Sequence, residues 1–218
     1  MADVNIATPA NPPSAGFFTP IDKTHAAITL AKAIGKTLTP ELAAEIAREL
    51  FQSPDLARPP GFFEPGAYKG YVFALESFRA ILPELHALHV MQYTETETYR
   101  AGIPLNPDYD AIARSEHDGQ LMQFTARRDG VLVGNMRIYL TQSRHTQTLV
   151  ASEDTFYFLP EHRRGFLAVR LWQYVERCVI AAGAREIFFD SKTVNRADSI
   201  ATYLKYKPFG IKFSKVIS

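Results

Sequence analysis

Apolar residues recur along this chain at two periods, and the places where the period changes mark its elements. Residues 1–21, MADVNIATPANPPSAGFFTPI, show neither period and are rich in proline and alanine, which reads as an irregular arm. DKTHAAITLAKAIGKT predicts a short helix ending near Gly35. A second helix is predicted over TPELAAEIARELFQ, with Thr39 as N-cap and Pro40 at the first helical position. Leu42, Ile46 and Leu50 share one face of it, so that face requires a surface to dock on. The turn-rich SPDLARPPGFFEPG then places a boundary near residue 65. It divides residues 1–65, an arm with a helical extension, from a domain over 66–218.

Beyond the boundary, YKGYVFA predicts a strand over 68–74, and helices are predicted over Ser77–Tyr99 and Asp108–Glu116. QLMQFTARRDGVLVGNMRIYL is the clearest hairpin: two β-rich runs flank RRDG, and Asp-Gly is a strong turn signal. A strand over 149–159 leads into an amphipathic helix. That helix carries Leu167, Leu171, Val175 and Ala182 on one side, Arg170, Gln173 and Arg177 on the other, and is closed by Gly183. REIFFDSK reads as a short buried strand, RADSIATYLKY as a helix and FGIKFSKVI as a final strand. The order β-α-α-β-β-β-α-β-α-β predicts an α+β, mixed α/β domain: a central mixed sheet of about six strands flanked by helices.

Composition narrows the function classes. The chain has 218 residues, 46% of them hydrophobic, and a formal net charge of +1. Near-balance of charge argues against a broad nucleic-acid surface, where a basic excess is the rule. A single cysteine, Cys178, excludes an intrachain disulfide and points to a reducing compartment. No apolar run approaches the roughly 18 residues of a membrane span, and the first residues lack the layout of a signal peptide, so a cytoplasmic location is expected.

The richest chemistry lies where the strand over 149–159 meets the following helix, in EDTFYFLPEHRRGFLAVRLWQYVE (Glu153–Glu176). A helix N-terminus presents unpaired N–H groups and the positive end of its dipole. With Arg163 and Arg164 beside it and Gly165 permitting close backbone approach, the turn suits a phosphate or diphosphate; a solvated turn is the plainer reading. Glu153 and Asp154 are the carboxylates nearest that turn, and alternation sends one to each face of the strand. Elsewhere, His86 and His89 share a helix face without further metal ligands, so no metal is expected. His145 sits in a loop and Cys178 on an inward helix face. Glu95 and Glu97 are two apart on a helix and so diverge.

From about Tyr68 to Ser218 the sequence resembles the GNAT acyl-CoA N-acyltransferase superfamily, and within it the acetyltransferase-like proteins of tailed bacteriophages and prophages. The stretches that carry the resemblance are PLNPDYD, FTARRDGVLVGNMRIYL, ASEDTFYFLPEHRRGFLAVRLWQYVE, IFFDSK and YLKYKPFGIKFSKVI. The family's diphosphate loop has the pattern Q/R-x-x-G-x-G/A. Beginning it at Arg163 puts Phe166 where glycine is usual and Ala168 at the last position. Beginning it at His162 fits Gly165 but ends on Leu167.

The resemblance implies an acetyl-CoA-dependent transfer to a primary amine. Arg163, Arg164, Gly165, Phe166, Leu167 and Ala168 would hold the diphosphate. Backbone groups of Phe158 and Leu159 would pair with the pantetheine arm, with Asn195 as a further contact. Glu153 or Asp154 would be the base, and Tyr203 the acid toward the leaving thiolate, with Tyr206 as its alternate. The acceptor would be a small molecule or a protein amine, and His89 would lie on its side. The competing reading is a catalytically degenerate, GNAT-like interaction protein of a phage particle, anchored through residues 1–65; self-association is a further expectation. A role in modifying nucleic acid is disfavoured by the charge balance.

Overall fold

A computed structural model describes residues 27, 29–51, 58–100, 102–192, 194 and 197–217. The chain divides into two units, residues 1–54 and 55–218. In the first, helix α1 spans Pro40–Phe51. The Thr39 hydroxyl accepts from the Leu42 amide (3.2 Å), so the predicted cap is formed. Leu42 and Ile46 line a shallow hollow with Thr29 and Ala33. The side chain of Leu50 lies outside the described residues.

The second unit is built on one six-stranded sheet in the order β1-β2-β3-β4-β5-β6. The strands are β1 (Gly66–Tyr68), β2 (Tyr71–Leu75), β3 (Leu121–Arg128), β4 (Val131–Gln142), β5 (Leu149–Phe158) and β6 (Glu186–Phe188). All neighbours are antiparallel except β5 and β6, which run parallel. Helices α2 (Phe78–Thr96) and α3 (Tyr109–His117) lie between β2 and β3 in the chain. Helix α4 (Leu167–Ala181) links β5 to β6, and α5 (Asp198–Tyr203) follows β6. This is the predicted α+β fold, a mixed sheet flanked by helices. Among the described residues no helix is long and apolar enough to cross a membrane.

The RRDG hairpin forms as read, with Asp129 (φ 50°) and Gly130 (φ 81°) at its left-handed corner. Two expectations fail. The strand predicted over 68–74 is a hairpin, because Lys69 (φ 47°) and Gly70 (φ 81°) turn the chain between β1 and β2. The predicted final strand FGIKFSKVI forms no ladder. Phe209 stacks on Phe188 (5.1 Å between centroids) and Lys212 pairs with Asp190, yet β6 is only three residues long and offers few backbone groups. Phe209, Ile211 and Phe213 are consequently 81–92% exposed.

Two cores sandwich the sheet. One packs Met136, Ile138 and Leu140 of β4 against Leu167, Leu171, Trp172 and Val175 of α4. The other packs Leu132 and Tyr157 against Phe78, Ile81, Leu85 and Leu88 of α2. Burial on both faces makes β3, β4 and β5 stiff, and a stiff strand holds the side chains at its end in fixed positions.

Candidate active site

Strand β5 separates the two candidate carboxylates by a bulge. Arg137 of β4 pairs with Thr155, but the next residue, Ile138, pairs with Glu153, leaving Asp154 as the extra residue. Pairing with β6 stops at Ser152, so among the described residues 153–158 have no partner on that side and the two strands part there. Glu153 sits at the parting point, 9% exposed, and one carboxylate oxygen accepts from the Asp190 amide (3.2 Å). Burial, with the charges of Asp154 and Asp190 adding to it, pushes its carboxyl up to about 8.

Asp154 has a different environment. Its Oδ2 lies 3.6 Å from Nη1 of the buried Arg137 and accepts from the Thr155 hydroxyl (3.1 Å). Arg137 also donates through Nη2 to Nε2 of His89 (2.8 Å). His89 must therefore be neutral and carry its proton on Nδ1, which faces the Tyr109 hydroxyl at 3.3 Å. Burial first, then the charge of Arg137, lowers the imidazole to about 3. Arg137 escaped the sequence reading; the signal was a lone cation in the centre of β4, a strand covered on both faces. His86 lies exposed on the same helix, and His145 is exposed in the β4–β5 loop.

The turn after β5 runs through a 3₁₀ segment, Pro160–His162, to Gly165 (φ 64°) and then α4. The first hydrogen bond into α4 is from the Arg170 amide to the Phe166 carbonyl (2.8 Å), and no side chain caps the helix. Among the described residues the amides of Gly165, Phe166, Leu167, Ala168 and Val169 have no protein acceptor. Arg164 is exposed and enters no ion pair among the described residues. Arg163 is held through three of its five N–H groups. Its Nη1 and Nη2 donate to the two oxygens of Glu95 (2.6 and 2.7 Å), its Nε donates to the Phe158 carbonyl (2.7 Å), and its guanidinium lies over the Tyr157 ring (4.7 Å).

The backbone at Phe158 and Leu159 is likewise engaged: the Leu159 amide donates to the Val133 carbonyl (2.9 Å), and the Phe158 carbonyl holds Arg163. Leu167 is buried, Ala168 half-buried and Phe166 49% exposed, its ring 5.5 Å from that of Tyr203. Tyr203 is itself 57% exposed. Tyr206 is bound into the structure: its hydroxyl accepts from Trp172 Nε1 and donates to Glu176, each at 2.8 Å, and burial raises it well above the usual phenol range. Asn195 lies outside the described residues. Burial raises the Cys178 thiol to about 11, as in an inert core position. Glu95 and Glu97 diverge as expected, Glu95 to Arg163 and Glu97 to Lys192 (3.1 Å).

A family model described as the acetyltransferase (GNAT) family matches residues 82–207, more than half of the chain. The chain belongs to this family. No curated protein matches the sequence. Solved structures similar to this GNAT chain include an aminoglycoside acetyltransferase from an uncultured soil metagenomic sample in complex with sisomicin. It is 10% identical, with a TM-score of 0.54 over 68% of this chain and 97% of that one. A ribosomal-protein-alanine N-acetyltransferase from Brucella melitensis biovar Abortus 2308 is 20% identical, with a TM-score of 0.50 over 68% and 98%. A predicted acetyltransferase with acetyl-CoA from Clostridium acetobutylicum is 10% identical, with a TM-score of 0.53 over 67% and 96%. At these identities the likeness is one of fold.

Proposed function

We propose that this GNAT chain is an acetyl-CoA-dependent N-acetyltransferase acting on a primary amine by direct transfer, and that a phage or prophage encodes it. The observation that carries the activity is the row of amides from Gly165 to Val169, which have no acceptors among the described residues at the start of α4. Such a row attracts a diphosphate, because several N–H dipoles and the helix dipole point at one place. Arg164, which enters no ion pair among the described residues, supplies a cation beside it. The gap opened where β5 and β6 part is where the pantetheine arm belongs. Acetyl-CoA supplies an activated thioester carbonyl; the side chains of this protein supply orientation and proton transfer.

Glu153 is the base in this reading. Asp154 is paired with Arg137, Asp190 with Lys212, Glu97 with Lys192 and Glu95 with Arg163, whereas among the described residues Glu153 is held only by a backbone N–H. A carboxylate whose proton affinity is raised to about 8 is matched to taking a proton from an amine near neutral pH. Tyr203, exposed next to Phe166 of the turn, donates a proton to the departing sulfur. The names of two similar structures, an aminoglycoside acetyltransferase and a ribosomal-protein-alanine N-acetyltransferase, support an amine acceptor, either a small molecule or a protein.

The second reading, a degenerate interaction protein working through residues 1–65, is favoured by the engagement of Arg163 with Glu95, which takes away the expected phosphate ligand. A thermal-shift titration separates the two. In the enzyme reading, acetyl-CoA at 100 times its Kd stabilises the chain by about 2.7 kcal/mol, and Arg164→Ala weakens the effect. An unchanged melting temperature at millimolar acetyl-CoA favours the second reading.

A further inference from the structure

We infer that Arg163 and Glu95 form a latch by which helix α2 sets the shape of the cofactor turn, so that Arg163 is a positioning residue and not a phosphate ligand. The inference rests on the proposed acetyl-CoA reading but stands on its own contacts. Three of the five N–H donors of the Arg163 guanidinium are used within the protein: two go to Glu95 and one to the Phe158 carbonyl, with the Tyr157 ring stacked beneath. Glu95 is held in turn by the Tyr157 hydroxyl, which donates to its Oε2 at 3.3 Å. The cluster joins three parts of the fold: the last residues of α2, the end of β5, and the turn into α4.

The fork geometry matters. Two parallel N–H···O bonds to a carboxylate fix the plane of a guanidinium as well as its position. The third bond, from Nε, then fixes that plane against the last carbonyl of β5. The backbone of residue 163 is pinned two residues before Gly165, where the left-handed corner that presents the free amides begins. Pulling Arg163 onto a diphosphate would take its donors away from the Glu95 carboxylate and the Phe158 carbonyl, whereas the neighbouring Arg164 enters no ion pair among the described residues. The mutual hold lowers the Glu95 carboxyl and raises the Arg163 guanidinium, each chiefly through the hydrogen bonds between them.

The test is a double-mutant cycle of Glu95→Gln and Arg163→Gln in the full chain, read two ways. The first readout is acetyl-CoA turnover. The latch predicts that each single variant raises the KM for acetyl-CoA about tenfold with kcat within twofold, and that the double variant is no worse than either single. A direct phosphate ligand predicts that Arg163→Gln alone weakens acetyl-CoA while Glu95→Gln leaves it unchanged or tightens it; that pattern overturns the latch. The second readout is hydrogen exchange, without cofactor, at the hydrogen-bonded amides of the turn: Leu159, His162, Arg163 and Arg164. The latch predicts faster exchange in both single variants and no change in Glu97→Gln, whose partners are Arg100 and Lys192. Unchanged exchange in Glu95→Gln overturns the proposal. If the wild-type chain does not bind acetyl-CoA, the catalytic reading fails, and the exchange measurement still decides the latch.

Discussion

At the scale of single residues, burial and not residue type distinguishes the two candidate carboxylates. Glu153 and Asp154 are adjacent carboxylates, but the bulge sends one into a buried gap and the other to a buried arginine. With Glu153 as the proposed base, held near 8, kcat/KM should rise with pH and level off above about 8, because a base works only when ionised. Glu153→Gln should lower kcat by roughly 10²–10⁴ and abolish that rise. It should also alter stability. The native carboxyl keeps its proton to about 8 while the unfolded one releases it near 4.5, so the native state binds more protons between those values. The wild type therefore loses stability as pH rises through that window, and the variant should lose less, as melting scans at pH 6 and 9 would record. The two tyrosines make a matched pair. Tyr203→Phe should slow turnover and leave the KM for acetyl-CoA unchanged. Tyr206→Phe should leave turnover alone and cost about 1–2 kcal/mol in urea unfolding, since Trp172 and Glu176 lose their shared partner.

At the scale of elements, the site depends on how β4 and β5 meet. Gly134 of β4 lies opposite Phe158, and a Cβ there would fall 2.3 Å from the Phe158 ring. Gly134→Ala should therefore destabilise the chain by about 1–3 kcal/mol and raise the KM for acetyl-CoA. Phe158 is buried and its carbonyl anchors Arg163, so a displaced ring moves the turn. Urea unfolding together with a KM measurement checks both parts; a variant as stable as the wild type would mean that β5 yields at its end. The amphipathic helix was readable because Leu167, Leu171 and Val175 recur with its period, and all three are buried. The helix buries Val169, Trp172, Tyr174, Cys178 and Val179 as well, a wider face than the periodicity suggested, because it also packs against the aromatic residues Phe189 and Tyr206. The final strand was misread for the opposite reason. Alternation in FGIKFSKVI is local, whereas a strand exists only where an edge of sufficient length accepts it.

At the scale of the whole molecule, the second core is bolted together by a polar layer. Arg137, His89 and Tyr109 connect β4 to α2 and α3 beneath the sheet. A neutral buried histidine makes this layer sensitive to acid. Its native value is about 3 against an ordinary 6.5, so the unfolded state binds more protons between them and stability falls as pH drops below about 6.5. The loss should reach about 3 kcal/mol by pH 4. His89→Gln keeps an acceptor for Arg137 without titrating. It should show a smaller loss between pH 6.5 and 4, even from a lower starting stability, as urea unfolding at the two pH values would show. An equal loss in wild type and variant would assign acid sensitivity to other groups.

The sequence by itself determined the local choices: where periods change, where Asp129 and Gly130 turn the chain, which helix face is apolar, and which residues cluster at the junction after β5. Each depends on a few consecutive residues and on sterics that act at short range. Only the tertiary structure decided what the charges at the junction do. Glu95 is distant in sequence from Arg163, and the bidentate bond between them exists because α2 ends beside the start of α4's turn. The high proton affinity of Glu153 likewise comes from being walled off from water where β5 and β6 part, and the neutrality of His89 from an arginine on another strand. Charges and hydrogen bonds report their surroundings, and surroundings are assembled from segments that the chain brings together only by folding.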